Sequence, residues 1–136
     1  MKIGIILETK EYEKAWNAFR FAVTAKKQGH EVKLFLMGEA VECEGLTHEK
    51  YNVDEQLKKF VEVGGEILAC GTCLKSRNLD STEACPISTM VDCVNLVVWA
   101  DKMVTFKTPK SSKGDFFHII NCIQNNMNFK IHFLNQ

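Results

Sequence analysis

Two cysteines three positions apart, Cys70 and Cys73, are the side chains of this 136-residue chain best suited to do chemistry. They frame Cys70-Gly71-Thr72-Cys73, which follows a short apolar run at 66–69 and opens a segment that reads as a short helix to Arg77. A sulfur at a helix start meets free backbone N–H groups and the positive end of the helix dipole, both of which favour thiolate over thiol. Lys75 and Arg77 add positive charge within one or two turns, Gly71 admits close backbone approach, and Thr72 offers a hydroxyl donor. A thiolate of lowered pKa is a nucleophile and can carry a transferred sulfur atom as a persulfide.

Other chemistries use the same motif. A thioredoxin-like dithiol also places C-x-x-C after a strand, but that fold needs a cis-proline opposite the cysteines, and Pro86 and Pro109 are the chain's two prolines. A zinc site would recruit Cys70, Cys73, Cys85 and Cys93, yet Cys85 and Cys93 lie eight positions apart and form no tight knuckle. The plainest alternative is two small apolar residues packed in a strand–helix corner. Gly71 and the flanking cations argue against it.

The other thiols and the histidines carry weaker signals. Cys85, next to Pro86, is a loop cysteine that could resolve Cys70, and Cys93 reads as a core thiol. Cys43 stands between Glu42 and Glu44, whose charges disfavour a thiolate. His30 reads as a turn residue and His48 as a surface residue, unless its loop folds over the cysteines. His118 and His132 are too far apart for a recognisable ligand pair, and Cys122 is unassigned. No Ser/His/Asp arrangement, glycine-rich phosphate loop or catalytic carboxylate pair stands out.

The elements that must position Cys70 and Cys73 are legible in the hydrophobic pattern. Strands are expected at 2–7, 31–37, 66–69 and 102–106, and helices at 13–28, 52–63 with Asn52 as cap, and 88–100 with Ser88 as cap. In the last helix Met90, Val91, Val94 and Val98 form the expected buried stripe. Alternating strands and helices predict a three-layer α/β/α sandwich around a mostly parallel sheet of about five strands. Ligands in such sheets sit beyond the C-terminal strand ends near a switch in strand order, and the cysteine loop lies at such an end. Glu8 and Thr9, after the first strand, are expected to border the same pocket through adjacency of the first and third strands.

Composition narrows the field further. With 46% hydrophobic and 25% charged residues the chain is globular, and a net charge of zero offers no basic field for nucleic acid. No apolar run is long enough to span a membrane, and residues 1–7 reach Glu8 too soon for a signal peptide. The expected compartment is therefore the cytoplasm, where thiols stay reduced. Neither cofactor nor metal is expected. Residues 107–136 differ from the rest: they carry Lys107, Lys110, Lys113 and Lys130 against Asp115, and five of the nine asparagines. Phe116, Ile120, Ile123, Met127, Ile131 and Leu134 recur at helical spacing, which allows one more helix in a C-terminal extension of unknown role.

Three stretches carry a resemblance: Lys2-Ile3-Gly4-Ile5-Ile6-Leu7, Phe35-Leu36-Met37-Gly38 and Ile67-Leu68-Ala69-Cys70. With them, residues 1–106 resemble the DsrE/DsrF-like family, which includes the TusD-type sulfur-relay subunits. As in that family, an arginine stands seven positions after the cysteine, here Arg77; Asn78 follows where the family commonly has glycine. The resemblance implies a cytoplasmic carrier of sulfane sulfur assembled as a homotrimer, homohexamer or hetero-oligomer, working between sulfur donor and acceptor proteins. Cys70 matches the sulfur-accepting cysteine, and Cys73 the second cysteine of members that carry C-x-x-C. Arg77 and the Gly71 and Thr72 amides would stabilise the thiolate or an anionic sulfur ligand. Two alternatives remain: an oligomeric module whose cysteines bind metal or sense redox state, and a thiol-disulfide reductase.

Overall fold

Parallel strands are covered on both faces and so read as nearly continuous apolar runs, as the strands of this chain do. The computed structural model describes residues 1–109. Its elements are β1 (Lys2–Leu7), α1 (Tyr12–Lys27), β2 (Glu31–Leu36), α2 (Val53–Glu62), β3 (Glu66–Cys70), α3 (Gly71–Lys75), β4 (Ile87–Ser88), α4 (Met90–Trp99) and β5 (Lys102–Phe106). A single 3-10 turn, Gly38–Glu42, follows β2 in the segment expected to be an acidic connection.

The five strands form one sheet in the order β4-β3-β2-β1-β5, and all four pairings are parallel. Ile5 lies opposite Leu34 on one side and Val104 on the other, Phe35 opposite Leu68, and Ala69 opposite Ile87. The chain walks from β1 out to β4 and then returns to place β5 beside β1. Right-handed crossovers put helices made on the outward walk on one face and α4, made on the return, on the other. α1 and α2 pack together accordingly, and α4 lies against β1. The expected α/β/α layering is thus present. The core joins Ile5, Leu7, Leu34, Phe35 and Leu36 of the sheet to Phe19 of α1 and Leu57 and Phe60 of α2, all buried.

Local signals position the helix ends. Asn52 caps α2 by accepting the Glu55 N–H at 3.2 Å. Asn78, at φ 52, takes the left-handed conformation just past α3 that its short polar side chain tolerates.

Three expectations are corrected. The first strand does not neighbour the third, because β2 lies between them and the reversal of strand order falls between β1 and β5. The cap of α4 is Thr89, not Ser88: Thr89 accepts the Asp92 N–H at 3.4 Å while Asp92 accepts the Thr89 N–H at 2.9 Å. Ser88 instead ends β4, a two-residue edge strand too short to leave a hydrophobic pattern. The stripe of α4 is also reversed, since Met90, Val91, Val94 and Val98 are exposed while Cys93 and Leu96 are buried. Apart from Asp92 and Asn95, every residue of α4 is apolar, so periodicity marks no single face. Among the described residues no helix is long and apolar enough to cross a membrane. The helix expected within 107–136 lies, beyond Pro109, outside the described residues.

Candidate functional site

Cys70 is the last residue of β3 and the N-cap position of α3, at φ −58 and ψ 115. One helical turn later, Cys73 returns to the same side, close enough to Cys70 that this neighbour raises its pKa. Cys70 is buried, whereas Cys73 is partly exposed. α3 is only five residues long, so its dipole is weaker than that of a full helix. The local donors therefore matter more than the macrodipole does.

The nearest such donor comes from another strand. β2 and β3 run side by side, Leu36 opposite Ala69, so the chain leaving β2 meets the chain leaving β3. There the backbone N–H of Gly38 donates to the Cys73 Sγ at 3.2 Å. Gly38 holds φ 58, a conformation glycine adopts without steric cost, with the Glu8 carbonyl facing it. Burial pushes the Cys73 thiol up and the contact with Cys70 adds to this, while the Gly38 N–H and the Arg77 charge pull it down. Cys73 therefore holds its proton more tightly than an exposed cysteine does.

Arg77 sits beside the pair but not on its sulfurs. Its Nη1 donates to the Cys73 carbonyl at 3.2 Å and to the Ser76 hydroxyl at 3.3 Å, and its Nε to Glu42 Oε2 at 3.3 Å. Glu42 also takes the Lys10 ammonium, at 3.2 Å. The 3-10 turn thus clasps α3 at two points: Gly38 at its start holds the Cys73 sulfur, and Glu42 at its end holds Arg77. Glu8 and Thr9 reach this clasp through the turn, Glu8 by its carbonyl and Thr9 by donating to Glu39 at 3.2 Å.

The other motif residues have distinct places. Thr72 is exposed on α3. A Cβ at Gly71 would lie 3.0 Å from Ile87 Cγ1 and 3.2 Å from the Ser88 carbonyl, so the bare backbone admits the edge strand β4. An open groove of about 520 Å³ runs along this outer flank of α3, lined by Gly71, Leu74, Lys75 and Ile87 among others.

The remaining thiols have surroundings of their own. Cys43 is fully buried, its sulfur 3.8 Å from the Thr9 carbonyl, and its pKa is pushed up to about 12. Burial is the main cause, and nearby Cys85, Glu39 and Glu42 reinforce it. Cys85 lies beside Glu44; burial first, then the Glu44 charge, push it to about 12. Cys93 is a core thiol as expected, raised by burial and by the charges of Cys70 and Glu8. Among the described residues no three His, Cys, Asp or Glu side chains form a group that could hold a metal ion, so the imagined zinc quartet does not assemble. His48 packs against Tyr12 and Tyr51, and its Nδ1 accepts the Lys50 and Tyr51 N–H groups. It fixes its own turn and does not cover the cysteines.

Gly38 and Glu42 are the site residues that sequence reasoning missed. The signal that could have found them was the parallel pairing of β2 with β3, which brings their two exit loops together.

Comparison with known proteins agrees with this fold. An uncharacterized protein of Methanocaldococcus jannaschii is 37% identical over 114 residues, spanning 78% of this chain and all of the relative. One of Methanopyrus kandleri is 37% identical over 112 residues, spanning 76% of this chain and 93% of the relative. The crystal structure of the ychN protein from E. coli superposes with a TM-score of 0.68 at 26% identity, covering 78% of this chain and 100% of the other. A protein of unknown function from Bacteroides thetaiotaomicron shares the fold at a TM-score of 0.62 and 17% identity, over 77% of this chain and 94% of its own. Residues 1–106, which carry the whole sheet and both motif cysteines, match the DsrE/DsrF-like family, and the chain belongs to that family.

Proposed function

We propose that this protein is a small cytoplasmic sulfur carrier that holds sulfane sulfur as a persulfide on Cys70, between a donor and an acceptor protein. The observation that carries this reading is the Cys70–Cys73 contact at the C-terminal end of β3, with the Gly38 N–H aimed at the outer sulfur. Loading needs the Cys70 thiolate to attack the terminal sulfur of a donor R–S–SH: the new bond makes Cys70–S–SH, and R–S⁻ leaves. Discharge follows when an acceptor thiolate attacks that terminal sulfur and Cys70 departs as a thiolate. Alternatively Cys73, deprotonated, attacks the inner sulfur. A Cys70–Cys73 disulfide then forms, hydrosulfide leaves with the two electrons, and a cellular thiol must reduce the disulfide before the next cycle. Gly71, Thr72 and Arg77 support the loaded state, Arg77 by holding the Cys73 carbonyl and lending positive charge.

A second copy of the chain is the partner that fits α4. Ile87, Met90, Val91, Val94, Val97 and Val98 are exposed together, on the order of 500 Å² of apolar surface, at the upper end for one monomer patch. Asp92 is tied into the cap of α4, so copies apposed on this face bury no lone charge. That supports a homo-oligomer, trimer or hexamer, as the family resemblance implies.

Mass spectrometry of the intact chain, before and after treatment with hydrodisulfide, tests the carrier reading. The expected result is added sulfur, removed by reductant, mapping to Cys70 and not retained by Cys70→Ser. No uptake together with a bound metal in the native spectrum would replace this reading with a metal-binding or redox-sensing module. Catalytic turnover of a small disulfide without sulfur uptake would replace it with a dithiol reductase.

A further inference from the structure

The two sulfurs differ in a way that decides how a protein partner can use them. Cys70 is 5% exposed, while Cys73 is the outer member of the pair and only partly buried. Sulfur exchange is an in-line displacement, so attacking, central and leaving sulfurs must align and touch. A persulfide carried on the surface of a folded protein is brought into such a line more readily with the partly exposed Cys73 than with the buried Cys70.

Charge can also be placed on the outer sulfur. The two thiols interact, and burial and the Cys70 charge hold the proton on Cys73 until it is exchanged between them. When that proton moves to Cys70, the negative charge lies on Cys73, where the Gly38 N–H meets it at 3.2 Å and the Arg77 guanidinium lies one carbonyl away. This environment comes from the 3-10 turn and the C-terminal end of α3.

We propose that Cys73 is the exchange sulfur for protein partners and Cys70 the storage sulfur, so that sulfane sulfur crosses from one to the other inside the chain. The proposal rests on the carrier reading. In the first step the Cys73 thiolate attacks the terminal sulfur of R–S–SH, giving Cys73–S–SH and R–S⁻. In the second Cys70 passes its proton to the released R–S⁻ and, as a thiolate, attacks that same terminal sulfur, giving Cys70–S–SH and returning Cys73 as a thiolate. Each step breaks one S–S bond and makes another, and neither needs an oxidant or reductant. Delivery runs the same two steps backwards.

The experiment compares two donors on the full chain: hydrodisulfide, small enough to reach Cys70 directly, and a persulfidated albumin, which is not. Loading of Cys70 is followed by rapid alkylation and site-resolved mass spectrometry in the wild type, Cys73→Ser and Cys73→Ala. The expected result is that both variants lose at least about tenfold in rate with the albumin persulfide and several-fold less than that with hydrodisulfide. In the wild type, the earliest quench after the albumin persulfide should find label on Cys73 before Cys70. Undiminished loading of the variants from albumin persulfide would overturn the proposal. So would an equal loss with both donors, which would make Cys73 a support for Cys70 and not a relay. A wild type that takes sulfur from neither donor would instead remove the carrier reading itself.

Discussion

The backbone N–H of Gly38 points at the sulfur of Cys73 from 35 positions earlier in the chain, 3.2 Å away. That contact exists because β2 and β3 are neighbours in register, and it makes the loop after β2 part of a site whose cysteines lie after β3.

Replacing Gly38 with alanine should disturb both the turn and the thiol. Its φ of 58 costs an L residue roughly 1–2 kcal/mol, although the new Cβ would meet the Glu8 carbonyl at an ordinary 3.6 Å. Any relaxation of the turn moves the N–H off Cys73 and removes an influence that lowers its pKa. Expected together are a loss of about 1 kcal/mol in urea unfolding and slower alkylation of Cys73 at pH 8. An unchanged alkylation rate in a destabilised variant would show that the N–H does not act on the sulfur.

Arg77→Met should slow Cys73 alkylation as well, because the guanidinium charge lowers the Cys73 pKa. Arg77→Lys keeps the charge without the fork of contacts and should fall between the variant and the wild type. Stability should change by less than about 1 kcal/mol in either, since Arg77 and Glu42 are each about one-third exposed, at 32% and 34%. Site-resolved alkylation and thermal melting measured on one preparation check both halves.

Much of this is legible in the amino-acid sequence. The strands are short and mostly apolar, the cap at Asn52 is a local signal, and C-x-x-C is a local motif, so each can be read where it stands. What stays hidden depends on which segments become neighbours. Gly38 and Glu42 look like the start and end of a featureless acidic loop until β2 is known to lie beside β3. The same ignorance of strand order puts the first strand beside the third. For α4 the obstacle is different: a helix apolar all round buries Cys93 and Leu96 and exposes four residues of the stripe, a choice made by the sheet and not by the pattern. Arg77 reads correctly as a neighbour of the cysteines, but its pairing with Glu42 follows from the same turn.

Alkaline pH should destabilise the fold through its buried thiols. Cys43 and Cys85 are raised from an ordinary 9.0 to about 12 in the folded chain, chiefly by burial. The unfolded chain releases these protons near pH 9, whereas the folded chain keeps them until about 12, so folding binds protons in between. Their contribution is complete below pH 9 and is lost as pH rises from 9 toward 12. For Cys43 the full effect is about 4 kcal/mol. Melting temperatures from pH 7 to 11 should fall more steeply for the wild type than for Cys43→Ala, whatever offset the variant shows at neutral pH. Parallel curves would mean that Cys43 ionises as readily folded as unfolded.

The exposed face of α4 makes its own prediction. Val91 and Val98 are 67% and 80% exposed and lie seven positions apart, two turns along one side of the helix. Neither is part of the core, so Val91→Lys with Val98→Lys should leave the monomer's packing intact. If copies of the chain meet on this face, each copy would bury two ammonium groups without partners, at a cost of several kcal/mol. Sedimentation should then show an oligomer for the wild type and a monomer for the double variant, with far-UV circular dichroism unchanged. A wild type that sediments as a monomer would leave the face for a different partner, and a double variant that stays oligomeric would place the interface elsewhere on the chain.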